Sequence, residues 1–578
     1  MGVTRHAMNA RWLSLVVAVV SALYFQSVAA ASDLVLIHGH IYTGSAKHLW
    51  AQALSITGSR IEAVGTDKEI LNRRTSTTRV IDLKGRTVIP GIVDSHIHLW
   101  HGALALHGFN LSTPEASITP DKPELVIARV KEYAAGHPTD KILFGRADFS
   151  AAEPYAPTRQ ILDRAVDDRP IVVHNSSEHA LWLNSKALAL AGITDQPVAD
   201  PNEERYVIRD ASGHPTGVLI EAAMELMERA VREQLSVEDQ LGWISNAVKY
   251  LNRYGITSVV NATGNLEEIK MYASLRDRGE LTVRTRTAFG AVAVPHRLTQ
   301  EFLAQLDEAR VKYHDEWVSA NLVKFFADGS TGLIPPIVYE PAQFKALVLE
   351  LDQRGYQLMT HAQRGDSVHM ILDAYEAAVR ANGPRDRRLR IEHDLVVHDP
   401  DFPRYAALSV IADMQPVFCC SEIGTNYDPK ETSPSDQWRT FLKNGVVLAF
   451  SSDWPCQWPP DPFVNIQQAV SREIWYSSDT ANVLGQSVDG AEQGGGRSTG
   501  KVYSPDQRIT VQEAIDAFTH GSAHAAFFDD RVGTLAVGKE ADIAVLSQDV
   551  FTVPAEQIGK TKVVMTIVGG KTVYEESN

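Results

Sequence analysis

The chain has 578 residues, 44% apolar and 22% charged, an ordinary globular composition with room for one very large domain or several smaller ones. A formal net charge of −16 and the lack of any basic run argue against non-specific binding to nucleic acid or to an anionic membrane. Three cysteines exclude a disulfide-built scaffold.

Residues 1–31 read as a signal peptide. Arg5 and Arg11 form a positive start, Trp12 to Phe25 an apolar core, and Ser27 to Ser32 offer small residues for cleavage after Ala30 or Ala31. The apolar run falls short of the ~20 residues that span a bilayer. The expectation is a periplasmic or secreted protein with no stable membrane insertion after cleavage; an uncleaved anchor is the alternative.

Residues 33–90 alternate β-branched residues with glycine-marked turns, and so do the segments Asp542–Leu546 and Val563–Tyr574. A small β domain built from both ends of the chain accounts for this. Between them, strand-like and helical runs alternate, as in a mainly parallel sheet of βα units. Candidate strands are Ile142–Phe144, Ile171–His174, Thr257–Val260, Leu322–Phe326, Gln357–Thr360, Leu389–Glu392, Val410–Met414 and Val446–Phe450, with helices such as Val237–Tyr254 and Val368–Ala381 between them. The count suits a (β/α)8 barrel with insertions. A doubly wound dinucleotide-binding sheet is the runner-up, but no Gly-x-Gly-x-x-Gly follows a strand. Asp479–Thr499 reads as a polar surface loop.

The run Thr87–Leu99 ends in His96 and His98, whose i, i+2 spacing in a strand aims two imidazoles at one point. His-x-His is a common pattern, and His38-Gly-His40 repeats it in a short polar hairpin. What favours the first pair is the company of other ligand types at predicted strand ends, where barrel active sites lie. These are Lys324 within an apolar strand, His361, His393 and Asp453. A lysine in an apolar strand is costly unless paired or neutralised. Either it pairs with Asp328 or Glu392, or it reacts with carbon dioxide to give a carbamate, an anionic metal ligand. Cys419 and Cys420 follow one predicted strand and Cys456 the next. They read as three buried thiols, with a bridge from Cys419 or Cys420 to Cys456 as the alternative.

These residues resemble the amidohydrolase superfamily, in the branch with N-substituted formamide deformylase and the YtcJ-like proteins. The motifs are Pro90-Gly-Ile-Val-Asp-Ser-His-Ile-His98, Glu178-His-Ala-Leu-Trp-Leu-Asn-Ser-Lys-Ala-Leu188, Gly217-Val-Leu-Ile-Glu-Ala-Ala223, Lys324-Phe-Phe-Ala-Asp-Gly329, His361-Ala362, Ile391-Glu-His393, Ser452-Asp-Trp-Pro455 and Gly533-Thr-Leu-Ala-Val-Gly-Lys-Glu-Ala-Asp-Ile543. The resemblance implies an α/β fold, a TIM-like (β/α)8 barrel over 91–532, with a small β-sandwich from 32–90 and 533–578. It implies one or two divalent metals, zinc by preference. His96 and His98 would hold the more buried one, carboxylated Lys324 would bridge, and His361 and His393 would hold the second. Asp453 would bind the first metal and handle protons. His179 and Glu221 match positions that line the substrate cleft; loop capping and a surface helix acid are their alternatives. Two departures bear on substrate contacts: Ala362-Gln-Arg-Gly-Asp366 where the family reads Ala-Ile-Gly-Asp, and Gly145-Arg-Ala-Asp148 where it reads Gly-Trp-Asp.

The implied activity is hydrolysis of an amide-like C–N bond, of the N-acyl or N-formyl amine type, by a metal-activated hydroxide. An ester, lactone or phosphoester substrate at the same site is the alternative, and a periplasmic metal- or ligand-binding protein the non-enzymatic one. The expected partner is a small molecule, with homodimer formation left open. Trp100, Trp182, Trp454 and Trp458 flank the motifs, either as cleft aromatics or as packing.

Overall fold

The computed structural model describes residues 32–111, 123–149, 156–291, 298–329, 338–419, 434–476 and 497–577. The signal-peptide segment and most of the Asp479–Thr499 loop lie outside the described residues.

Eight parallel strands follow one another in chain order around one sheet: β1 (Ile92–Ile97), β2 (Ile256–Gly264), β3 (Arg284–Gly290), β4 (Val318–Phe326), β5 (Gln357–Ala362), β6 (Arg390–His393), β7 (Ile411–Met414) and β8 (Leu448–Phe450). β1, β5, β7 and β8 are buried along their whole length, as strands covered on both faces must be. Helices cover the outside; Val237–Asn252, for example, starts where the Ser236 side chain caps the Asp239 N–H. The ring closes at a seam rather than a ladder. Ile97 and Trp454 form a parallel bridge, the Asp453 N–H donates to His96 O at 2.8 Å, and the His98 N–H donates to Trp454 O at 2.7 Å. Below them the Ser452 N–H donates to Asp94 Oδ1 at 2.9 Å. The result is a nearly closed TIM-like barrel.

Two of the expected barrel strands belong elsewhere. Leu143–Ala147 and Ile171–Asn175 lie in a separate six-stranded sheet, which fills the crossover between β1 and β2 and also includes Ala180–Leu183 and Pro215–Ile220. Their apolar runs are as strand-like as those of the barrel, so the pattern alone does not say which sheet they join. The strand that replaces them is β3, which carries Arg284 and Arg286 and so does not read as an apolar run. Both arginines are buried: Arg284 is ion-paired with Asp542 and Glu540, and Arg286 donates to Gln357 and lies over the Phe527 ring.

Two more sheets draw on both ends of the chain. One holds Leu34–Ile37, Ala53–Thr57, Arg60–Gly65 and Arg79–Asp82; the other sets Thr87–Pro90 beside Ile543–Leu546, with Val563–Val568 next. A single apolar cluster takes Leu36, Leu54 and Ile56 from the first, and Val88, Ile543 and Ile567 from the second. The chain passes from Thr87–Pro90 into β1 at Gly91. The His38–His40 pair stays out here, with His38 facing Asp82 and His40 stacked on Trp50. Cys456 is a free, buried thiol while Cys419 is disulfide-bonded, which overturns both the three-thiol reading and a bridge to Cys456; Cys420 lies outside the described residues.

Candidate metal centre

The carboxyl ends of the strands open on a cavity of about 240 Å³, and side chains from β1, β4, β5, β6 and the residues after β8 line it. β1 supplies His96, and His98 is the residue where β1 gives way to the helix Leu99–His107. β4 supplies Lys324, β5 His361 and β6 His393, and Asp453 follows β8. Ring centroids stand 5.6 Å apart for His96 and His98, 5.0 Å for His96 and His393, and 4.4 Å for His361 and His393. Asp453 Oδ1 lies 3.2 Å from His98 Nε2 and 3.6 Å from His96 Nε2. His393 and Asp453 both adopt positive φ, 75° and 56°. Such backbone costs of order 1–3 kcal/mol per residue and is held only where the surroundings enforce it.

The orientation of the imidazoles is set from behind. His96 Nδ1 meets Glu392 Oε2 at 2.6 Å, and His393 Nδ1 meets Gln415 Oε1 at 2.6 Å. Arg390 clamps Glu392 through both carboxylate oxygens and ties it to Asp413. With Nδ1 engaged, Nε2 of His96 is left for the cavity, the arrangement by which ligating histidines are usually fixed. Burial first, then neighbouring positive charge, holds His96 and His361 well below the ordinary imidazole range, and burial does the same for His393. A neutral imidazole keeps a lone pair to give. Burial pushes the Lys324 ammonium down to about 8. Its Nζ sits 3.2 Å from His96 Nε2 and over the Phe326 ring, and makes no ion pair with Asp328 or Glu392. Burial raises Asp453, but contact with His98 and the nearby positive charges outweigh it, so the carboxylate titrates below its usual value.

Asp453 Oδ1 is buried without an aligned hydrogen-bond partner, whereas His361 Nε2 stands 3.3 Å from the buried Asp328 Oδ1. Buried polar atoms are nearly always partnered, so an unpartnered carboxylate oxygen on the cavity, among imidazoles, fits a site built for a divalent metal. The donor atoms of His96, His393 and Asp453 already lie within 4.8 Å of one another. One family's pattern runs through this whole arrangement, from residue 79 to residue 574. The chain belongs to the amidohydrolase family. It is 26% identical to the N-substituted formamide deformylase of Arthrobacter pascens, over 94% of this chain and 99% of that one. It is 27% identical to the putative amidohydrolase YtcJ of Bacillus subtilis, over 93% and 99%. An uncharacterized metal-dependent hydrolase from Pyrococcus furiosus shares the fold with a TM-score of 0.66 at 25% identity, covering 90% of this chain and 100% of that one. This amidohydrolase is therefore a metal-dependent hydrolase.

His179 and Glu221 both line the amidohydrolase cavity, paired through Nδ1 and Oε1 at 2.7 Å, and the His179 ring stands 5.7 Å from that of His361. The rest of the wall includes the aromatic Phe289, Phe302 and Phe326 and the charged Glu225, Glu228 and Arg229. None of the four flanking tryptophans is in the lining, and Trp182 and Trp454 are wholly buried in packing. The departure at Gly145-Arg-Ala-Asp148 has a structural role: the buried Arg146 guanidinium donates to Pro455 O at 2.7 Å and Cys456 O at 3.2 Å, propping the chain just after Asp453. In the other departure, the N–H groups of Gln363 and Arg364 donate to Asp328. Sequence reasoning missed Glu392, Arg390 and Gln415 as supports of the site. The signal was present only for Glu392, a carboxylate next to a ligand-type histidine at a strand end.

Proposed function

We propose that this amidohydrolase cleaves the amide-like C–N bond of an N-acyl or N-formyl amine. The observation that carries the reading is Asp453, a buried carboxylate kept ionised beside His96 and His98, with one oxygen unclaimed by any aligned donor. An amine leaves an amide only when protonated, and a carboxylate placed this way can take the proton of the attacking water and deliver it to the leaving nitrogen. His96, His98, His361, His393 and Asp453 would hold one or two divalent ions, and zinc suits this donor set. When bound, the metal supplies a nucleophile ionised at neutral pH and polarises the scissile carbonyl.

Lys324 contributes through its depressed basicity. Its neutral Nζ would attack carbon dioxide, forming an N–C bond with release of a proton, and the resulting carbamate would offer anionic oxygens among the residues that hold the metal. His179, with Nδ1 committed to Glu221, keeps Nε2 for the oxygen of the substrate. The two terminal sheets are read as one β-sandwich, supported by their shared apolar cluster. The leader-like segment 1–31 supports a periplasmic or secreted protein; among the described residues no helix is long and apolar enough to cross a membrane.

The test is an activity screen of protein reconstituted with zinc or manganese in the presence of bicarbonate. The substrates are N-formyl and N-acyl amines, with esters and lactones as controls. Turnover of amides is expected, and hydrolysis confined to esters and lactones overturns the C–N assignment. Loading with ¹³C-bicarbonate should give one carbamate resonance that Lys324→Met removes; a spectrum without it excludes the modified lysine.

A further inference from the structure

The inserted sheet brings a second group of donors to the rim of the same cavity. His101 comes from the helix Leu99–His107, His174 from the strand Ile171–Asn175, and Glu178 from the turn that follows it. His101 Nδ1 lies 3.1 Å and His174 Nδ1 3.2 Å from one oxygen, Glu178 Oε2, and the three atoms are within 4.8 Å of one another. Zinc bonds of about 2.0–2.2 Å in a tetrahedron set the donor atoms roughly 3.3 Å apart, so small side-chain adjustments would admit the ion.

Two details go beyond spacing. His101 Nδ1 is shut off from solvent and has no aligned hydrogen bond, although the carboxylate is beside it. Its far nitrogen, Nε2, stands 3.3 Å from Glu228 Oε1, and Glu228 is backed by Arg232, which is anchored on Glu268 at 2.8 Å. A carboxylate behind the far nitrogen is the usual support of a ligating histidine, because it fixes the tautomer and leaves the near nitrogen bare. Glu178 itself adopts a positive φ of 60°, held only where the surroundings enforce it.

We propose that His101, His174 and Glu178 form a separate site for a transition dication of the zinc type. Two imidazoles and one carboxylate select zinc, cobalt, nickel or copper over magnesium or calcium, which prefer all-oxygen sites. His101 and Glu178 line the cavity, so the fourth position opens toward it and takes water or an oxygen of a bound substrate. The rival occupant is a proton: an imidazolium at His101 bridging Glu178 and Glu228 fills the same space without a metal.

The test uses the full chain, stripped with a chelator and returned to saturating zinc. An anomalous difference map at the zinc edge should show a peak among His101, His174 and Glu178, apart from any density at the barrel centre. Equilibrium dialysis should give one zinc equivalent fewer for His174→Gln than for the wild type, whereas His393→Ala, aimed at the barrel centre, keeps the rim peak. Wild-type protein with no rim peak, or the same zinc content in wild type and His174→Gln, overturns the site in favour of the imidazolium. The map of the wild-type protein decides alone if the variant does not fold. Because the two centres are read by different peaks, failure at one leaves the other standing.

Discussion

Asp453 and its neighbours set the chemistry residue by residue. Asparagine at position 453 keeps the volume and one carbonyl oxygen beside His98 but removes the proton acceptor. Asp453→Asn should hold its metal and lose about 10²–10⁴-fold in kcat, the usual worth of a general acid–base group. Parallel metal analysis and steady-state rates check this, and a near wild-type rate would remove Asp453 from the proton path. Gly102 is a second sensitive position. A Cβ there would come within 1.9 Å of the Trp454 ring, and Trp454 both follows Asp453 and accepts the His98 N–H. Gly102→Ala should cost about 1–3 kcal/mol in stability from overpacking and lower kcat by displacing Asp453. Thermal melts and rates of Gly102→Ala against Ala103→Gly separate this close approach from a general helix effect.

Between elements, the joint between successive βα units is an ion cluster. Asp352, at the end of the helix Pro341–Gln353, is fully buried and accepts from Arg387 at 2.8 and 3.1 Å, from Asn382 at 2.8 Å, and from Arg385. Burial raises its pKa, but the Arg387, Asn382 and Arg385 contacts outweigh it and hold the folded value below the ordinary 3.8. A carboxyl more acidic folded than unfolded stabilises the fold fully above that ordinary value, and the gain fades as pH falls through the folded value. Asp352→Asn should therefore lose about 3–5 kcal/mol at neutral pH and show a flatter decline in acid. Denaturant melts of both proteins at neutral pH and in acid measure it. This scale also shows what the sequence could and could not disclose. β5 was legible because a largely apolar run ends in a histidine, and β6 because a short strand-like stretch ends in the Glu-His pair. β3 was hidden because Arg284 is ion-paired with Asp542 and Glu540 and Arg286 is hydrogen-bonded to Gln357, residues that sequence distance does not connect. The ligand-type residues at the strand ends were likewise readable, while Gln415 and Arg390 acquire their roles only from the strand beside them.

Across the whole molecule, a buried arginine is one of the ties that fasten the barrel to the terminal sheets. Arg284 donates to Asp542 at 3.0 Å and to Glu540 at 3.3 Å, and Asp542 also accepts the Gly569 N–H at 2.8 Å. Asp542→Asn leaves the guanidinium under-compensated, which for a buried pair costs about 3–5 kcal/mol. Calorimetry should show a lowered melting temperature, and an unchanged one would mean that Glu540 suffices. The seam of the barrel bears on when a metal can be taken up. β8 meets β1 through Asp453, Trp454, His96 and His98 rather than through a ladder. Before β8 docks, β1, β4, β5 and β6 can already bring His96, Lys324, His361 and His393 together, but Asp453 is not yet in place. The last strand therefore adds the carboxylate rather than the imidazoles, and closing the seam is what completes the donor set.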